Sequence, residues 1–237
     1  MKSIRDSIAK EMLNCEIEAL KSLKHPNILN CFDVFSTANN CYIITELCSE
    51  GDLASLIKQK KRLSEQEAMP IISDVLAGFL EIADRNYLHR DLKLANIFMS
   101  KGSAKIADFG FAKKNVNPGE KEKYNVGSPL YMSPEALKRN IYTVKNDIWS
   151  VGVIIYELLH GETPWECRTE KELMDKMVRV PVRFSSSVKI SDDLREFIKR
   201  CLEVDETRRI SPEGIRSTPF VKKLLEEKSV APSVVQK

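Results

Sequence analysis

The pattern of hydrophobic and polar residues divides the first part of the chain into three segments. Residues 4–24 place apolar side chains at intervals of three to five, which predicts an amphipathic helix. The sequence His25-Pro26-Asn27 is expected to end that helix. Two β-type runs follow, residues 28–35 and 41–47, with a polar stretch between them. This arrangement predicts an antiparallel pair of strands.

After residue 50 the pattern becomes mainly helical. Ser64 with Glu67 three residues later is a capping box, and it predicts a helix whose apolar face carries Ile72, Val75, Leu76, Phe79 and Ala83. Residues 87–112 alternate short apolar pieces with polar clusters, which is typical of short strands joined by functional loops. Residues 148–159 are apolar all round and predict a buried helix. Residues 225–237 are expected to be a frayed tail.

Composition narrows the class of protein. With 237 residues, 43% of them apolar and 30% charged, the chain fits one globular domain or two small lobes. A net charge of +3 is too small to indicate a nucleic-acid partner. No apolar run approaches the ~20 residues that span a bilayer, and the N-terminus has no signal-peptide core. We therefore expect no membrane span and a location in the cytosol or nucleus, with cytoplasmic as the specific prediction.

The six cysteines occur without a C-x-x-C pair and among apolar neighbours. This distribution favours reduced core cysteines. A zinc site and a disulfide framework are the less favoured alternatives.

The segment from His89 to Asn96, HRDLKLAN, carries the first candidate chemistry. In a loop, the Asp91 carboxylate, the Lys93 ammonium and the Asn96 amide can converge. Phosphoryl transfer needs such a set: an acceptor for a hydroxyl proton, a cation for the transferred oxygens and an oxygen ligand for Mg²⁺. Asp108, in Asp108-Phe109-Gly110, offers a second oxygen ligand. The alternative interpretation is a solvated charged loop.

Further motifs follow in a fixed order: GSPLYMSPE at residues 127–135, DIWSVG at 147–152 and DETRRI at 205–210. With these, the chain resembles the eukaryotic protein kinase family from about residue 10 to residue 224. Lys93 is similar to the lysine of the serine/threonine branch. The phrases LCSEGDLASLI and IADFGFAKK are similar to the Unc-51-like, autophagy-initiating group.

The resemblance implies an α+β, two-lobed kinase-like fold. Residues 1–48 would be a truncated N-lobe with one helix, about two antiparallel strands and the hinge. Residues 49–224 would be a complete, mainly helical C-lobe, followed by the tail at 225–237. The implied function is transfer of the γ-phosphate of ATP, with Mg²⁺, to Ser/Thr hydroxyls of protein substrates. Regulatory protein partners are also expected.

The resemblance also implies roles for individual residues. Asp91 would accept the proton of the substrate hydroxyl, Lys93 would steady the γ-phosphate, and Asn96 and Asp108 would hold Mg²⁺. Glu16 would pair with the phosphate-binding lysine of the family; taken alone it is better explained by a solvated helix face, and only its place before KHPNI favours the pairing.

Nucleotide binding is assigned to four further residues on the same grounds. Thr45 resembles the gatekeeper, Glu46 and Cys48 belong to the hinge that would bind adenine, and Asp52 would also face the nucleotide. An ordinary edge strand is the alternative for the hinge.

The chain departs from the family pattern in two places. Its first glycine is Gly51, so no G-x-G-x-x-G loop precedes the hinge, and no V-A-I-K strand is present. We therefore expect an incomplete chain that by itself binds Mg-ATP weakly, and the alternative is a catalytically silent, pseudokinase-like scaffold. Between Gly110 and Gly127 there is no serine or threonine. The family would place a phosphate near Arg90, which leaves as candidate partners phospho-Tyr124, Glu120 and Glu122.

Five further residues of the large lobe receive roles from the resemblance. Glu135 is expected to pair with Arg209, and Asp147 to hydrogen-bond the backbone beside His89. His89 itself is expected to pack beneath Phe109 rather than to titrate in catalysis. Ser128 is assigned to the pocket for the residue that follows the phosphoacceptor.

Overall fold

The structure is a computed structural model that describes residues 7–37, 40–115, 121–122 and 125–230. The fold is α+β, as predicted, with short antiparallel pairs of strands and a mainly helical large part. In chain order the elements are α1 (Ser7–Ser22), β1 (Cys31–Ser36), β2 (Cys41–Thr45), α2 (Leu53–Lys60), α3 (Glu65–Asp84), β3 (Tyr87–Leu88), β4 (Ile97–Ser100), β5 (Ser103–Ile106), β6 (Lys113–Lys114), α4 (Pro134–Arg139), α5 (Val144–His160), α6 (Glu170–Arg179), α7 (Asp192–Cys201), α8 (Pro212–Ser217) and α9 (Pro219–Val230).

The first helix and the hairpin agree with the predicted elements but differ at their ends. Helix α1 ends at Ser22, because the chain turns before Pro26. Strand β1 begins only at Cys31, since the residues before it pair elsewhere: Ile28 bridges Ile106, and the Leu29 amide donates to the Ile106 carbonyl. Ile28 and Leu29 therefore connect the hairpin to β5, whereas the Asn30 carbonyl accepts from the Glu46 amide.

The two longest helices form the centre of the large part. The capping box at the start of α3 is present, with the Ser64 hydroxyl accepting from the Glu67 amide and the Glu67 carboxylate accepting from the Ser64 amide. Helix α5 is capped by Thr143, and its segment 148–159 is buried except for the half-buried Glu157. These two helices pack on each other, and α7 packs on α5. The prediction of a buried central helix is confirmed.

A buried ion pair links the start of α4 to the loop before α8. Arg209 donates from Nη1 to Glu135 Oε1 at 2.6 Å and from Nη2 to Glu135 Oε2 at 3.1 Å. Both side chains are almost fully buried, and the Arg209 guanidinium also lies 4.9 Å from the centre of the Trp149 ring. The predicted pair is confirmed, and its two parallel hydrogen bonds are the strong geometry for Arg and a carboxylate.

Two other expectations are settled by the fold. All six cysteines are free, as predicted, but only Cys31 and Cys201 are buried in the core, whereas the other four are half-buried. The expectation of a frayed tail from residue 225 is wrong for residues 225–230, which continue α9. They do so because α9 packs against α3 and α8, which supplies tertiary contacts that a local pattern cannot show. Residues 231–237 lie outside the described part of the chain.

Candidate active site

The loop between β3 and β4 brings three of the predicted residues together. Lys93 Nζ lies 2.7 Å from Asp91 Oδ2, and Asn96 Nδ2 donates to the same oxygen at 3.1 Å and to the Asp91 carbonyl at 2.9 Å. The Asp91 side chain is only 3% exposed and that of Lys93 25%. The carboxylate is thus held in one orientation inside a partly dry pocket, where charge interactions are stronger than in water.

Helix α5 fixes the backbone of this loop. The Asp147 carboxylate accepts hydrogen bonds from the His89 amide at 2.7 Å and from the Arg90 amide at 2.9 Å. Arg90 has a φ of 66°, a left-handed conformation that is rare for a residue with a side chain. The predicted contact of Asp147 is confirmed, and it stabilises a strained turn directly before Asp91.

His89 joins this loop to the turn that carries Asp108. Burial lowers the pKa of His89, so the ring is neutral at physiological pH. In that form Nε2 donates to the Ala107 carbonyl at 3.0 Å and Nδ1 accepts from the Asp91 amide at 3.3 Å. The ring also lies 4.9 Å from the ring of Phe109. His89 is therefore a structural residue packed against Phe109, as predicted.

Asp108 follows β5 in a left-handed conformation, with φ 60° and ψ 70°. Its side chain is exposed and accepts a long hydrogen bond, 3.4 Å, from the Gly110 amide. The Ala107 amide donates to the Asn96 carbonyl at 2.9 Å. Since Asp108 follows Ala107, this bond holds the backbones of the two predicted metal ligands next to each other. Phe109, next to Asp108, is fully buried, and helix α1 packs on this turn.

The chemistry of these side chains fits Mg²⁺. Because Asn96 uses its Nδ2 group on Asp91, its amide oxygen is the atom left for a metal, and Asp108 adds an exposed carboxylate. Mg²⁺ prefers oxygen ligands and is usually held by one or two protein side chains together with substrate phosphates. Within the described residues no cluster of three His, Cys, Asp or Glu forms a self-sufficient metal site. Asn96 and Asp108 would thus hold the ion jointly with a phosphate.

The predicted hinge residues lie at the end of β2. Thr45 is half-buried and opposes Cys31 across the hairpin. The Glu46 carboxylate is occupied by protein contacts, with Lys105 Nζ at 3.0 Å and the Asn30 amide at 2.7 Å. Burial raises the pKa of the Cys48 thiol, which keeps it protonated. Because the Glu46 amide donates to the Asn30 carbonyl at 3.0 Å, a base would meet the Glu46 carbonyl and the backbone of Cys48.

Glu16 and Asp52, the two remaining predicted residues, lie on helices outside the loop that carries Asp91. Glu16 lies half-buried on α1, the helix that packs on the turn after Asp108. Asp52 is the N-cap of α2 and accepts from the Ser55 amide at 2.8 Å and the Ser55 hydroxyl at 2.9 Å. Burial alone would raise the pKa of Asp52, but the hydrogen bonds from Ser55 outweigh it and lower the pKa. Their roles toward a nucleotide stay predictions.

Ser128 lies beside Asp91, a contact that the sequence did not predict. Its hydroxyl donates to Asp91 Oδ1 at 2.9 Å and accepts from Lys93 Nζ at 2.9 Å. It therefore belongs to the hydrogen-bond network of Asp91 rather than only to a pocket for a substrate side chain. The available signal was Gly127, whose φ of 108° brings the segment against Arg90: a Cβ there would lie 2.6 Å from the Arg90 carbonyl oxygen.

Comparison with known proteins identifies the family. The family described as "Protein kinase domain" matches residues 1–221. The chain belongs to the protein kinase family.

Relatives of this protein kinase include several serine/threonine kinases. It is 37% identical over 222 residues to "Probable serine/threonine-protein kinase CCRP1" of Zea mays, covering 93% of this chain and 36% of that protein. It is 36% identical over 228 residues to "Serine/threonine-protein kinase ULK3" of Mus musculus, covering 93% and 47%. It is 37% identical over 214 residues to "Serine/threonine-protein kinase atg1" of Dictyostelium discoideum, covering 87% and 32%. The predicted resemblance to Unc-51-like kinases is confirmed, and the chain spans between a third and a half of the length of these relatives.

A helix that crosses a bilayer must be about 20 residues long and mainly apolar. Within the described residues no helix combines the length and apolar character that crossing a membrane requires.

Proposed function

We propose that this protein transfers the γ-phosphate of ATP to serine and threonine hydroxyls of other proteins, with Mg²⁺ as cofactor, in the cytoplasm. The observation that supports this most is the arrangement around Asp91, whose carboxylate oxygens contact Lys93, Ser128 and Asn96 within 3.1 Å. A second buried carboxylate, Glu135, also lies beside a cation and an amide, Arg209 and Asn146, but the Arg209 side chain has no exposed surface, whereas that of Lys93 is 25% exposed. Regulatory protein partners belong to the same proposal.

Asp91 is the residue that receives the proton. The substrate oxygen forms a bond to the γ-phosphorus, the bond from that phosphorus to the ADP oxygen breaks, and the hydroxyl proton passes to the Asp91 carboxylate. Lys93 lies on the same carboxylate and would accompany the transferred oxygens as their counter-charge. Ser128, which donates to the other oxygen, keeps the carboxylate turned toward the acceptor.

Asn96 and Asp108 would hold Mg²⁺, which neutralises phosphate charge when it is bound. On the opposite side, the backbone of Glu46 and Cys48 would bind adenine. Thr45 and Asp52 would border the nucleotide, and Glu16 would orient a phosphate-binding cation from α1. These assignments rest on the family resemblance together with the positions described above.

The decisive experiment measures phosphate transfer by the protein as its source cell makes it, captured with an antibody against the large part. Asp91→Asn is expected to lower the rate of transfer to a mixture of Ser and Thr peptides by about 10²- to 10⁴-fold, the usual effect of losing an acid or base group. ATP affinity should stay nearly unchanged, because Asp91 does not bind the nucleotide.

Asp192→Asn is the matched control, since Asp192 is exposed in the first turn of α7. It should leave transfer unchanged. If wild type and Asp91→Asn bind Mg-ATP but neither transfers phosphate, the scaffold alternative replaces the enzyme. If Asp91→Asn loses ATP binding as well, Asp91 is structural and the proposed role is wrong.

A further inference from the structure

Glu122 lies between two cations next to the catalytic loop. Its Oε1 is 2.7 Å from Lys113 Nζ, and its Oε2 is 3.5 Å from Arg90 Nη1. The Arg90 side chain is 11% exposed and that of Glu122 20%. A partly buried guanidinium needs a counter-charge, because removing its partner leaves an unpaired charge away from water. Among the described residues, Glu122 supplies this charge to Arg90 and Lys113 together.

The backbone of Glu122 is fixed independently of these ion pairs. Its amide donates to the Asn140 carbonyl at 2.9 Å, and Asn140 Nδ2 donates to the Glu122 carbonyl at 2.6 Å. Lys121 forms a β-bridge with Ile141. The segment that carries the carboxylate is thus docked on the end of α4 by main-chain contacts, which present the carboxylate to the cations.

Arg90 connects this carboxylate to both halves of the candidate active site. It directly precedes Asp91, and its Nε donates to the Phe111 carbonyl at 2.6 Å, one residue after Gly110. Its guanidinium also lies 5.6 Å from the centre of the Tyr142 ring. A displacement of the Arg90 side chain would therefore shift both the Asp91 loop and the turn after Asp108.

We propose that Glu122 is a positioning residue that holds the segment after Asp108 in its transfer-competent arrangement without phosphorylation. A site of two cations accepts an anion, and here a carboxylate of the chain itself fills it permanently. This inference rests on the proposed kinase function and adds its mode of regulation. The other candidates from the sequence, Glu120 and Tyr124, lie outside the described residues. Residues 111–126 contain no Ser or Thr that could carry a phosphate instead.

The first test separates charge from structure. Glu122→Gln keeps the shape of the side chain and removes its charge, and we expect kcat to fall by about 10- to 100-fold, as for a displaced catalytic geometry. KM for ATP should stay close to that of wild type, and the melting temperature should fall only slightly, because the Gln amide oxygen can still accept from Arg90 or Lys113. Glu122→Asp keeps the charge on a shorter side chain and should restore part of kcat. Glu81→Gln, which removes the carboxylate of the Glu81–Arg85 ion pair within α3, is the matched control and should not change kcat.

The second test treats the captured wild-type protein with a phosphatase, which should leave its rate unchanged. Loss of the wild-type rate after this treatment would overturn the proposal, and so would an unchanged kcat in Glu122→Gln. If Glu122→Gln does not fold, Glu122→Asp decides: a lower kcat at an unchanged melting temperature supports the proposal, and an unchanged kcat contradicts it. Failure of the kinase proposal itself is distinct, because wild type would then show no transfer that depends on Asp91.

Discussion

The small part of the molecule, residues 7–48, and the large part, residues 49–230, differ in how completely they bury their apolar side chains. Among the described residues seven large apolar side chains are exposed, and five of them lie between residues 32 and 47: Phe32, Phe35, Tyr42, Ile44 and Leu47. In the large part, α3 and α5 bury their apolar faces against each other, and α5 also packs on α7. The alternating pattern of the hairpin therefore leaves one apolar face open, whereas the packing of helices closes the core of the large part.

The same contrast divides the candidate site. Asp91, Asn96 and Asp108 are connected through Asp147 and Ala107 to the buried centre of the large part. The hinge lies at the edge of the hairpin, where Leu47 is 84% exposed. The side of the site that we propose for phosphate transfer is therefore built on the well-buried part, and the side proposed for adenine on the thinly covered part.

The largest effect on stability should come from breaking the ion pair inside the large part. Glu135→Ala leaves the buried Arg209 guanidinium without its carboxylate, and we expect the free energy of unfolding to fall by about 3–5 kcal/mol. Urea unfolding of the purified chain measures this. Arg85→Ala removes an exposed i,i+4 pair with Glu81 and serves as control, with an expected change below about 0.5 kcal/mol. Equal losses in the two variants would show that burial does not govern this pair.

A medium effect is expected where the two parts meet. A Cβ on Gly78 of α3 would lie 2.7 Å from the Asn27 carbonyl oxygen and 3.1 Å from Ile106 Cδ1. Gly78→Ala should therefore lower stability by about 1–3 kcal/mol, as overpacking does. Hydrogen exchange should accelerate mainly in residues 7–48. Gly152→Ala, which crowds Cys201 and Leu202, should accelerate exchange in the large part instead, and the same exchange pattern in both variants would contradict the division.

A small effect on stability is expected from the exposed face of the hairpin. Phe32→Ser and Leu47→Ser each remove an exposed apolar side chain and should change the free energy of unfolding by no more than about 0.5 kcal/mol. They should also reduce aggregation, because exposed apolar surface beside an open strand edge promotes association. Leu53→Ser, at a fully buried position of α2, is the contrasting variant and should destabilise strongly. Light scattering and urea unfolding together test both statements.

The smallest effect concerns pH. Burial lowers the pKa of His160, whose ring is stacked 3.9 Å from that of Tyr156. Because the unfolded chain then binds more protons, stability is fully present above about pH 6.5 and declines as the pH falls below that value. His160→Phe should keep the stacking and reduce the loss of melting temperature between pH 7.5 and pH 5.5. An identical loss in wild type and variant would exclude His160 as a source of the pH dependence.

Local features of the fold could be predicted because neighbouring residues produce them. The capping box of α3, the hairpin and the buried segment 148–159 depend on short-range periodicity and on hydrogen bonds within one turn. The boundaries at residues 28–30 and 225–230 could not be predicted in this way. Their structure depends on β5, α3 and α8, which are distant in sequence.

The sequence by itself determined which groups can carry chemistry, since Asp91, Lys93, Asn96 and Asp108 occur in motifs of fixed order and spacing. Tertiary structure decided which further residues act with them. Ser128 contacts Asp91, which is 37 positions away in the sequence, and Glu122 contacts Arg90, which is also distant in sequence. No local pattern predicts either contact. The physical reason is that residue type fixes the donor or acceptor, whereas the packing of α4 and α5 fixes which donor and acceptor meet.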